Sequence, residues 1–127
     1  MKAVLAALMT SALTACVSTD SLQLSNGDGK SYRVSGRTYE QIWQAATTAM
    51  STDMHIVESH KPSGVIKSRV TNGTAGKVVG FFIQPTSPDA TAYTVTIVSR
   101  KPLQSPVDRD GEPSVWDDFQ RVLGRAR

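Results

Sequence analysis

The sequence predicts an α+β domain, an antiparallel β-sheet packed against two α-helices in the order β-α-β-β-β-β-α. Three observations lead there. Residues 38–50 join a helix-start signature to an amphipathic stripe, residues 54–99 fall into short β-branched and aromatic runs broken by Pro and Gly, and residues 114–123 carry a second stripe. Elements with one apolar face must bury it against another element, and helices flanking a run of strands do so as layers.

The first strand is read at Tyr32, Val34 and Gly36, which alternate with Arg33 and Ser35. Thr38 and Gln41 then have the spacing of a capping box, each side chain satisfying the other's backbone N–H. Tyr39, Ile42, Trp43, Ala46, Ala49 and Met50 recur at three- and four-residue steps, one apolar helix face that ends near Asp53 and Met54. Small Ala45, Ala46 and Ala49 would let that helix lie close on a sheet.

Met54–Ser59 and Val65–Val70 flank the turn His60-Lys61-Pro62-Ser63-Gly64, which predicts a hairpin. Lys77–Gln84 is the most apolar run after the N-terminal stretch and reads as a central strand, ended by Pro85 to Asp89. Tyr93–Ser99 alternates and is rich in Val, Thr and Ile, which fit a pleated surface. Residues 102–113 read as a polar loop. Ser114 is taken as N-cap of the last helix, with Asp117 and Asp118 favourable near its positive end. Val115, Trp116, Phe119, Val122 and Leu123 form its apolar stripe, and Gly124 is read as its stop. Trp43 and Trp116 are expected where the helices meet the sheet.

The chain has 127 residues, enough for one domain. Its 14 Lys and Arg against 11 Asp and Glu leave a formal charge of +3, and removing residues 1–15 takes Lys2 with them, leaving +2. That weak, scattered excess does not describe a nucleic-acid binder. A single cysteine, Cys16, rules out an internal disulfide framework.

The surroundings of Cys16 carry the most specific signal. Lys2 begins a short positive region, Ala3 to Leu13 is nearly continuously apolar, and Leu13-Thr14-Ala15-Cys16 closes it with small residues. This is the pattern of a secretory signal, and it is shorter than the roughly 20 apolar residues that span a bilayer as a helix. Leu13-Thr14-Ala15-Cys16 resembles the lipobox of bacterial lipoproteins. The resemblance implies cleavage between Ala15 and Cys16, a diacylglyceryl group on the Cys16 sulfur and an acyl group, typically palmitate, on its new amino terminus. Val17 stands where an Asp would retain a Gram-negative lipoprotein in the inner membrane, so the resemblance implies the periplasmic face of the outer membrane.

The expected organisation is thus a signal peptide over 1–15, an acylated cysteine and flexible tether over 16–30, and one domain over 31–127. Val17 to Lys30 is polar, with Asn-Gly and Asp-Gly turn pairs, and such a tether reaches roughly 20 Å. The alternative is a short edge strand through Leu22 and Leu24. The order of elements over 31–127 resembles the helix-grip domains of BamC-type envelope lipoproteins. That resemblance implies a fold and no specific activity.

Chemistry-bearing motifs are sparse. Asn72-Gly73-Thr74-Ala75-Gly76-Lys77 lacks the first glycine of a phosphate-binding loop, and Val78 replaces the Ser or Thr that should follow the lysine. His55 and His60, even with Glu58, lack a metal-ligand spacing. Asp117-Asp118 and Asp108/Asp110 are explained by helix capping and a solvated turn. No serine lies in a Gly-x-Ser-x-Gly context, so the expectation is a protein that is not an enzyme and uses no cofactor or metal. Lys67, Arg69, Lys77, Arg100 and Lys101, with Arg33 and Arg37 near them, are candidates for one basic surface facing anionic lipid, cell-wall polymer or an acidic protein. The expected function is a lipid-anchored periplasmic module acting through protein contacts in envelope assembly or stability. The alternative is a small-ligand binder with a pocket between helix and sheet.

Overall fold

A computed structural model describes residues 22, 29–70, 77–86, 91–100 and 111–125. They form β1 (Lys30–Ser35), α1 (Tyr39–Met50), β2 (Met54–His60), a 3-10 turn (Lys61–Ser63), β3 (Val65–Val70), β4 (Val78–Pro85), β5 (Ala92–Arg100) and α2 (Gly111–Arg125). The five strands make one antiparallel sheet in the order β1-β5-β4-β3-β2. This is the α+β arrangement, and the element order, that the sequence predicts.

Alternation along each strand sorts residues onto two faces of the sheet. The register aligns Ile97, Phe81 and Ile66 across β5, β4 and β3, and Val95 with Ile83 in the next row. These residues face the helices, which contribute Ile42, Ala46, Ala49, Met50, Val115 and Phe119 to the same buried cluster. Ala46 and Ala49 have no exposed surface, so α1 packs close to the sheet through small side chains. With no disulfide to constrain the chain, this apolar layer supplies most of the stability, about 1.5–3 kcal/mol for each large side chain buried.

The first helix begins as its sequence requires. The Gln41 N–H donates to Thr38 Oγ1 at 3.1 Å, and the Thr38 N–H donates to Gln41 Oε1 at 3.0 Å. At its other end the buried Ser68 hydroxyl donates to the Met50 carbonyl at 2.6 Å, fastening α1 to β3. Asp53 then takes a left-handed backbone (φ 57°) to swing the chain into β2, a conformation Asp tolerates better than most residues.

The second helix departs from its sequence signals. It starts at Gly111, so Ser114 lies within it rather than at its N-cap, and Gly124 is part of its last turn rather than its stop. Pro113 does not prevent this, because the first-turn N–H groups have no partner inside a helix and a proline there forfeits nothing. Val115, Phe119 and Leu123 are its buried stripe. Asp118 is held by Arg121, Nη2 to Oδ1 at 2.6 Å.

Tyr32 of β1 stacks on Trp116 of α2, with ring centroids 3.8 Å apart and planes 9° from parallel. Trp116 in turn stacks on Phe119, and Phe119 tilts against Phe81. Trp43 and Trp116 are both half-buried and packed against the helix-side core, the place the sequence predicts for them.

Candidate interaction surface

Neither described helix packs on the other face of the sheet, where the register assembles a mixed basic and apolar set of residues. One row across it is Arg69, Val78 and Arg100, and the next is Glu58, Lys67, Gly80 and Val98. A third holds His60, Val65, Phe82, Thr96 and Ser31, and a fourth Gln84, Thr94 and Arg33. Ser31 and Thr96 hydroxyls meet at 2.9 Å across β1 and β5, which fixes the face that this row occupies.

At its centre Val78, Phe82 and Val98 form a second buried cluster, with Val65 against it. Leu22 completes that cluster and has no exposed surface. Leu22 lies within residues 16–30, the stretch read from sequence as a tether, yet it is docked on the domain. Its seat exists because β4 has Gly80 there: a β-carbon at position 80 would lie 3.3 Å from Leu22 Cβ and 2.9 Å from the Phe82 ring. A side chain there would crowd both the leucine and the Phe82 ring, so the bare backbone of Gly80 lets Leu22 lie close on the sheet.

The structure brings together three of the five basic residues singled out in the sequence. Lys67, Arg69 and Arg100 share the face opposite the described helices, all three at least partly buried, and Arg33, drawn in by the β1–β5 pairing, adds a fourth cation. Lys77 does not join them. It is only 5% exposed, and its carbonyl accepts the Val70 N–H at 3.0 Å, extending the β3–β4 ladder by one rung. Lys77, read from sequence as the first residue of the central strand and as a candidate for the basic surface, is buried in the sheet and so drops out of that surface. Lys101 lies outside the described residues, as do Ala15, Cys16 and positions 71–76 of the glycine-containing loop. Glu58 is the single carboxylate among the described residues of the face, and it lies 3.9 Å from Lys67.

Other polar groups explain themselves as structure. His60 Nδ1 meets Ser63 Oγ at 2.7 Å, but both are exposed and belong to one turn, which the contact closes locally. That turn is pinned to α1. The Tyr39 hydroxyl donates to the Lys61 carbonyl at 2.5 Å, and the Lys61 ammonium pairs with Glu40. Burial, and then the neighbouring Tyr93 phenol, raise the Tyr39 pKa above the usual tyrosine value. The hydrogen bond from Lys61 lowers that of Glu40, helped by its positive charge and opposed by partial desolvation. Among the described residues no three His, Cys, Asp or Glu side chains cluster closely enough to hold a metal ion. No described helix is long and apolar enough to cross a membrane.

Comparison with models of known protein families finds no match, and comparison with curated proteins finds none. Sequence reasoning missed Gly80 and offered Leu22 only as part of a possible short edge strand beside the preferred tether. The one signal for them was their chemistry: a leucine in a polar stretch, and a glycine inside an otherwise apolar strand run.

Proposed function

We propose that this chain is a non-enzymatic lipoprotein, anchored through acylated Cys16 on the periplasmic face of the outer membrane. It contributes to envelope assembly or stability by contact with other envelope components. The supporting observation is the position of Leu22. Five residues separate it from Cys16, and it is seated on the sheet face that also carries Arg33, Lys67, Arg69 and Arg100. A built surface beside an attachment residue suits a docking role.

The pocket reading gains no comparable support. Ile42, Ala46, Phe81 and Phe119, where helix meets sheet, are each 0% exposed, so side chains fill the space that a ligand between these layers would need.

Cys16→Ala tests the anchor. The unsubstituted chain should fractionate with the outer membrane and carry acyl mass on its N-terminus, whereas the variant should accumulate as soluble or uncleaved protein. Membrane retention of a cleaved, unlipidated variant would refute the anchor. In-cell crosslinking from Gln84, exposed at one end of the face opposite the helices, tests the contact role. Reproducible recovery of an envelope component supports it, and recovery of none refutes it.

A further inference from the structure

We draw no further inference here: the strongest candidate, the half-buried aromatic cluster of Tyr39, Trp43 and Tyr93 where α1 meets β5, packs on the main core, and nothing in the structure shows what covers its remaining exposed surface.

Discussion

Replacing Leu22 with alanine asks whether the segment after Cys16 belongs to the cooperative fold. The side chain is completely buried against Val78, Phe82 and Val98, over the bare backbone of Gly80. Truncating a buried leucine costs the transfer free energy of the lost methyl groups plus a cavity term, together about 2.7–5 kcal/mol in well-packed cores. Leu22 lies in the smaller of the two buried clusters, with Val78, Phe82 and Val98, where fewer neighbours are left around a cavity than in the main core. The expected cost is therefore at the low end, about 2–3 kcal/mol. A domain of this size shifts its melting temperature by roughly 4–8 °C per kcal/mol, so a fall of about 8–24 °C is expected. Urea and thermal unfolding followed by the fluorescence of Trp43 and Trp116 provide the measurement. Val57→Ala is the reference, because Val57 is 45% exposed and its truncation should cost less than about 0.5 kcal/mol. A Leu22→Ala loss no larger than that reference would mean the leucine is not seated on the sheet.

Three further outcomes follow from specific contacts. Gly80→Ala would drive a β-carbon to 2.9 Å from the Phe82 ring and 3.3 Å from Leu22 Cβ, and should destabilise the domain by about 1–3 kcal/mol in urea unfolding. Ser68→Ala removes the hydroxyl that donates to the Met50 carbonyl inside the core, and should cost about 1–3 kcal/mol, with faster amide exchange in the last turn of α1. Tyr39→Phe tests the link between α1 and the 3-10 turn and should cost about 0.5–1.5 kcal/mol at neutral pH. Because the folded protein raises the Tyr39 pKa, the native state holds that proton more tightly than the unfolded chain. The corresponding stability is complete below the ordinary tyrosine pKa of about 10 and is lost as pH rises through the higher folded value. The urea midpoint of the unsubstituted protein should therefore fall more steeply than that of Tyr39→Phe above about pH 10, and parallel curves would contradict the assignment.

What the sequence makes legible here is whatever its own neighbours decide. The Thr38–Gln41 box is a four-residue affair, so its spacing alone identifies it. The apolar run from Val78 to Ile83 is central because it must be covered on both faces, and buried runs are continuous rather than alternating. The start of α2 is less legible, since Gly111 and Pro113 resemble a loop until the tolerance of a helix's first turn is considered. The interaction surface is legible only in part. Arg33 meets Thr94, and Lys67 meets Gly80, through pairings set by the whole sheet, and candidates picked by charge alone could not separate Arg100 on the face opposite the helices from Lys77 in the ladder. Leu22 offers no period at all. Its role is defined by a glycine 58 positions later (80 minus 22), and only three-dimensional packing connects the two.

One irregularity of the edge strand β2 has a consequence for how many copies can share a surface. Pairing with β3 slips between Ile56 and Glu58, leaving Val57 exposed in a bulge. A straight edge would offer an unbroken row of N–H and C=O groups to the same edge of a neighbouring molecule. The bulge interrupts that row after three residues and increases the local twist, so two β2 edges brought side by side cannot zip together along their length. The misplaced rung at Val57 therefore works against a ribbon built by pairing one β2 edge on another.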